Sequence, residues 1–185
     1  KSFFENEKLL DDFVSSCDVI VHLAGMNRHG DAQVIYNTNI SLAQELVNSL
    51  KRTRKKPHII FSSSSQEERD NLYGKSKKDA RLILSKWAEE SGSIFTGMII
   101  PNVFGPFGNP FYNSVVATFC HQITHGEEPK IEVDGELKLI YVSELISEII
   151  KVIKNGFNIS EYTVFHTSEV KVSKILHPCR GGGTN

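Results

Sequence analysis

The chain has 185 residues, enough for one domain with a sizeable core and too few for two ordinary ones. Hydrophobic residues at 39% and charged residues at 23% are globular values, and a net charge of −1 gives no general attraction to nucleic acid or to anionic membrane. The one basic run, Lys51, Arg52, Arg54, Lys55 and Lys56, follows an apolar-periodic segment, where cations complement a helix C-terminus.

Cys17, Cys120 and Cys179 are far apart and show no metal-type spacing with one another or with the histidines. They read as reduced thiols, and no metal site is expected. No apolar run approaches the length of a membrane span, and the stretch from Lys1 to Glu7 is too acidic for a secretory signal. A cytoplasmic protein with no membrane or nucleic-acid partner is expected.

Leu9, Leu10, Phe13 and Val14 recur at helical spacing, and the apolar run from Val19 to Ala24 that follows, closed by Gly25, reads as a buried strand. Ile40, Ala43, Leu46, Val47 and Leu50 form the next helical stripe. Pro57 then introduces a strand from His58 to Phe61, followed by four serines. A helix starting near Tyr73 runs through Ala80, Leu84, Trp87 and Ala88 to Gly92, and a third strand extends from about Ile94 to Pro101. A Gly/Pro-rich loop spans Pro101 to Pro110, and an amphipathic segment spans Ser114 to His125. Short strands are expected near Ile131 and Leu139, then a helix from Ser143 to Asn155 and a last strand from Tyr162 to His166. Residues 167–185 are expected to be an irregular tail, with Gly181, Gly182 and Gly183 flexible.

This alternation predicts an α/β fold with a doubly wound parallel sheet, whose ligands bind beyond the carboxyl ends of the strands. The informative residues fall at those ends. Tyr73 and Lys77, four apart at a helix start, lie on one face and can point into one cleft. An ammonium beside a phenol favours the phenolate, which makes such a tyrosine an acid/base near neutrality. His22, inside a strand, reads as a hydrogen-bonded core residue.

Five segments carry a family resemblance in the order in which they occur: Asp18 to Gly25, Asn39, Phe61 to Ser64, Tyr73 to Lys77, and Pro101 to Pro106. Together they resemble the extended short-chain dehydrogenase/reductases, the class of NAD-dependent nucleotide-sugar epimerases, dehydratases and reductases. Leu23 to Arg28 and Phe111 to Cys120 resemble most closely the capsular-polysaccharide reductases acting on UDP-2-acetamido-2,6-dideoxy-4-keto-hexoses, on the route to UDP-N-acetyl-L-fucosamine.

The resemblance implies a Rossmann-like fold, with residues 1–166 forming a partial NAD(P)-binding domain and residues from about 102 to 166 supplying small substrate-binding elements. It implies Tyr73 as general acid, Lys77 as the residue that holds the nicotinamide ribose and lowers the tyrosine pKa, and Ser64 as carbonyl partner, with Ser63 and Ser65 competing. It assigns Leu23, Ala24, Gly25, Ser62, Tyr73, Lys77 and Pro101 to NADP or NAD, and Arg28, Asn102 and Asn113 to a UDP-sugar substrate. Asn39 would be structural, and a homodimer would form through the helices around residues 40–50 and 77–90.

The glycine-rich strand-turn-helix that opens such domains is not found in these residues, so a truncated sheet with an apolar edge at Val19 to Ala24 is expected. Ser64 is followed by Ser65 and Gln66 instead of the dehydratases' Asp-Glu pair, which disfavours dehydration. Three functions compete: a nucleotide-sugar reductase or epimerase, an inert fragment that self-associates, and a nucleotide-sensing module.

Overall fold

The computed structural model describes residues 4–131 and 133–180. In chain order the elements are α1 (Glu7–Ser16), β1 (Val19–His22), α2 (Ala32–Thr53), β2 (His58–Ser64), a 3-10 turn (Ser65–Glu68), α3 (Leu72–Ser91), β3 (Phe95–Ile100), β4 (Asn102–Phe104), α4 (Val115–Thr124), β5 (Glu136–Tyr141), α5 (Val142–Asn155), β6 (Ile159–Thr163), β7 (Ser168–Lys171) and α6 (Val172–Arg180). The chain divides into two compact units, residues 1–100 with 149–163 and residues 101–148 with 164–185.

In the first unit, polar side chains start the helices. Asn6 accepts from the Leu9 amide at 3.1 Å, Asp31 from Gln33 at 2.8 Å and Asn71 from Gly74 at 2.7 Å, each satisfying an amide that has no intrahelical partner. α3 stops at Gly92, whose φ of 69° is a left-handed conformation that glycine adopts without a Cβ penalty. β1, β2, β3 and β6 form a parallel sheet in the order β1-β2-β3-β6.

The core lies between this sheet and α1, α2 and α3. Leu10, Val14, Ala43, Leu46, Leu50, Ala80, Leu84 and Trp87 pack with Ile20, Ile59, Phe61 and Phe95. The alternate strand residues Ile60, Thr96 and Met98 are buried as well. Burial on both faces explains why these strands read as continuous apolar runs without polar alternation. The unit is a Rossmann-like α/β sheet, and β1 occupies one edge of it.

In the second unit β4 pairs parallel with β5, and β5 antiparallel with β7. Phe119, Val172 and Leu176 are its buried centre, packed with Val115, Ile123, Leu137 and Ile175. Here the expectations from sequence need correction. Residues 168–180 form a strand and a helix instead of an irregular tail; Val172 and Leu176 are what bury that helix. Gly181, Gly182 and Gly183 lie outside the described residues. No strand forms at Ile131, because the segment before β5 has another use: the Asp134 carboxylate accepts from the Ser173 amide at 2.7 Å and the Ser173 hydroxyl at 2.9 Å, capping the start of α6. The Gly/Pro-rich loop contains β4, and the last strand of the parallel sheet is Ile159–Thr163, earlier than the expected Tyr162 to His166.

Candidate active site

The start of α3 is set by close backbone packing. A Cβ added to buried Gly74 would lie 1.9 Å from the Gln66 carbonyl oxygen and 2.8 Å from its carbon, so only glycine lets α3 approach the 3-10 turn. Gly74→Ala is therefore expected to cost about 2–3 kcal/mol through forced backbone displacement, read as a lowered thermal midpoint; an unchanged midpoint would contradict this packing.

The four serines diverge. Ser62 Oγ donates to the His22 carbonyl at 3.2 Å, and buried Ser63 donates to Glu67. Ser64 caps the 3-10 turn, accepting from the Gln66 amide at 3.2 Å, and shares a side-chain hydrogen bond with Tyr73. Ser65 is exposed. Of the four, Ser64 is the one hydrogen-bonded to the phenol.

Tyr73 departs from the sequence expectation in its charge state. Burial pushes the phenol above its ordinary pKa, with the Ser64 hydrogen bond pulling the other way, and Lys77 exerts no resolved influence on it. The physical reason is the placement of the lysine. Lys77 is itself buried, its Nζ is 4.5 Å from the centre of the Phe61 ring, and desolvation lowers its pKa to about 8 against a raising influence from Glu67. The phenol is thus kept in the protonated form, the form that gives a proton.

Lys77 makes no hydrogen bond among the described residues, so its three donors are unspent. It also reaches the loop after β1, because a Cβ on Gly25 would lie 3.7 Å from Lys77 Nζ and 3.2 Å from Asn39 Oδ1. Asn39 fixes that loop: its Oδ1 accepts from the Met26 amide at 2.7 Å, and its Nδ2 donates to the Met26 carbonyl at 2.9 Å and to Ser76 Oγ at 2.8 Å. Ser76 in turn donates to the Tyr73 carbonyl at 2.7 Å. One carboxamide therefore ties the end of β1 to the first turn of α3.

Gly25, Ser64, Tyr73 and Lys77 are thus brought together in the first unit. Leu23 stands exposed in the loop beside Ala24, and Arg28 is exposed further along it. Pro101, Asn102 and Asn113 belong to the second unit. Unspent ammonium donors, a protonated phenol and a glycine-lined loop are a donor set that fits a ribose and a nicotinamide carboxamide.

Two features were missed from sequence. Arg81, 1% exposed, forks onto Glu67 through Nε at 2.9 Å and Nη2 at 2.8 Å, reaches Glu161 at 2.7 Å and donates to the Ser160 carbonyl at 3.1 Å. A charged residue on the stripe formed by Ala80, Leu84 and Ala88 was the available signal. The second is Gly74, in the first turn of α3, where the poorest helix former short of proline stands because packing requires it. His22, expected as a hydrogen-bonded core residue, is buried, but its Nε2 has no partner among the described residues; the ring packs against Phe61 and Phe4, and desolvation lowers its pKa to about 4.

A parallel sheet of order β1-β2-β3-β6, with a hydroxyl, a phenol and an ammonium carried by β2 and α3, defines a Rossmann-like α/β protein. Residues 4–166 match the NAD dependent epimerase/dehydratase family, and the chain belongs to that family. It is 34% identical over 144 residues to a UDP-2-acetamido-2,6-beta-L-arabino-hexul-4-ose reductase of Pseudomonas aeruginosa, which covers 77% of this chain and 39% of that protein. The capsular polysaccharide assembling protein CapF of Staphylococcus aureus superposes with a TM-score of 0.80 at 34% identity, over 94% of this chain and 47% of that one. A UDP-glucose 4-epimerase of Thermotoga maritima, at 20% identity, shares the fold with a TM-score of 0.84 over 96% of this chain and 65% of its own. The chain spans less than half the length of the first two relatives. No helix among the described residues is long and apolar enough to cross a membrane.

Proposed function

We propose that the protein acts in reversible hydride transfer at the carbonyl of a UDP-sugar, as a cytoplasmic nucleotide-sugar reductase in the making of capsular or surface polysaccharide precursors. The observation that carries this reading is the convergence of Ser64, Tyr73 and Lys77 beside Gly25. A nicotinamide cofactor, NADP or NAD, supplies or accepts the hydride when bound. Leu23, Ala24, Gly25, Ser62, Tyr73 and Lys77 are the residues that would hold it.

In the reducing direction the Ser64 hydroxyl donates to the sugar carbonyl oxygen and orients it. The Tyr73 Oη–H gives its proton to that oxygen as negative charge develops there, and its raised pKa keeps the proton available at neutral pH. The Lys77 ammonium, one helical turn on from Tyr73, would donate to the cofactor ribose when the cofactor is bound. Oxidation runs the same proton in reverse, so one constellation serves reductase and 4-epimerase chemistry. By family resemblance alone, Arg28, Asn102 and Asn113 are assigned to the sugar nucleotide, Pro101 to the cofactor, and the outer faces of α2 and α3 to a homodimer.

Tyr73→Phe removes one proton donor and leaves the ring. Its expected effect is a loss of turnover of about 10²–10⁴-fold, measured as oxidation of NADPH or NADH with a UDP-4-keto-sugar, while cofactor affinity by fluorescence titration falls by no more than the worth of one hydrogen bond, about tenfold. A Tyr73→Phe protein that keeps a tenth of the activity overturns this mechanism. A second reading, self-association without catalysis, is favoured by the edge position of β1, whose outer backbone groups face no strand among the described residues. Sedimentation of a stable monomer would count against it.

A further inference from the structure

Near the C-terminal end of α4, His121 and His125 stand four residues apart, with ring centroids 4.0 Å from each other and planes inclined by 25°. The spacing puts both imidazoles on one helix face. His125 Nδ1 lies 2.8 Å from the His121 carbonyl oxygen and 3.3 Å from Thr124 Oγ1. A carbonyl can only accept, so Nδ1 carries the proton and Nε2 is left with its lone pair. A backbone carbonyl on the other ring nitrogen is also the usual support behind a metal-binding histidine.

His121 is held from the opposite side. Its ring meets the Phe111 ring edge-on at 5.3 Å, and no hydrogen bond engages its nitrogens among the described residues. The helix end adds a favourable field: His125 caps α4, and the terminal carbonyls carry the partial negative charge that attracts a cation.

We propose that His121 and His125 form a bidentate site for a divalent transition-metal ion of the Cu²⁺, Ni²⁺ and Zn²⁺ class. Paired imidazole nitrogens select this class over Mg²⁺ or Ca²⁺, which take oxygen donors. Once one imidazole binds, the second meets the ion at high effective concentration, and this is what lifts a helical pair above a lone surface histidine. The His121 ring turns from the stacked arrangement while His125 keeps its Nδ1–H bond to the His121 carbonyl, which brings one nitrogen of each ring about 2.0–2.1 Å from the ion. Water completes the coordination, since no group of three or more His, Cys, Asp or Glu side chains converges among the described residues. The inference does not depend on the nucleotide-sugar reading.

The test uses the untagged chain, titrated with NiCl₂ by calorimetry and with substoichiometric Cu²⁺ by histidine-selective NMR. One tight equivalent of Ni²⁺ is expected, weakened at least tenfold by either His121→Gln or His125→Gln, with Cu²⁺ broadening confined to the His121 and His125 resonances. Binding within twofold of the original in either variant overturns the site, as does broadening spread equally over His29 and His166. Should a variant fail to fold, the broadening pattern in the unsubstituted chain decides alone.

Discussion

Arg81→Met is expected to lower the unfolding free energy by about 3–5 kcal/mol, measured by urea denaturation. Arg81 is one of the largest fully buried side chains, and its partner Glu67 has a side chain only 7% exposed. Removing the guanidinium strands a buried carboxylate and also leaves the Ser160 carbonyl and hydroxyl without their donor. Glu67 sits in the turn that Ser64 caps and accepts from Ser63 as well, so the ion pair anchors the segment that presents Ser64 to Tyr73. The double variant Arg81→Met/Glu67→Leu removes both charges and is expected to recover more than half of the loss, because breaking a buried pair costs more than replacing it. A single variant within 1 kcal/mol of the parent would show that the pair does not anchor the turn.

Lys77→Met is expected to have the opposite sign: a more stable protein with no catalytic turnover. The lysine is 5% exposed and burial lowers its pKa from 10.5 to about 8. Between those values the unfolded chain binds more protons at this residue than the folded one, so the parent gains stability as pH rises from about 8 to 10.5. Below about 8 both states are charged and the folded protein carries the full desolvation cost, roughly 3 kcal/mol. The variant should therefore exceed the parent by about 2–3 kcal/mol at pH 7, and that margin should shrink steadily up to pH 10. A variant of equal or lower stability at pH 7 would mean that the ammonium is compensated in the fold and is not a strained, functional charge.

Local signals in the chain account for the first unit. Helical stripes such as Ala43, Leu46, Val47 and Leu50, strands that run apolar without alternation, and the Pro57 and Gly92 punctuation all act through neighbours within a few residues, so the alternation of helix and strand is legible directly. The i, i+4 relation of Tyr73 and Lys77 is legible for the same reason. What the tertiary structure alone decided depends on partners distant in sequence. Which serine meets the phenol follows from the exit angle of β2 into its 3-10 turn, set by Gly74 against Gln66 and by Arg81 on Glu67. β7 exists because Val170 and Ser168 find Leu137 and Leu139 about thirty residues earlier, and α6 because Val172 and Leu176 bury against Phe119. Charge states were decided in the same way. The tyrosine-lysine spacing alone suggested a lowered phenol pKa, whereas burial raises the phenol and depresses the lysine, because desolvation at each site outweighs the Ser64 hydrogen bond to the one and the Glu67 charge near the other.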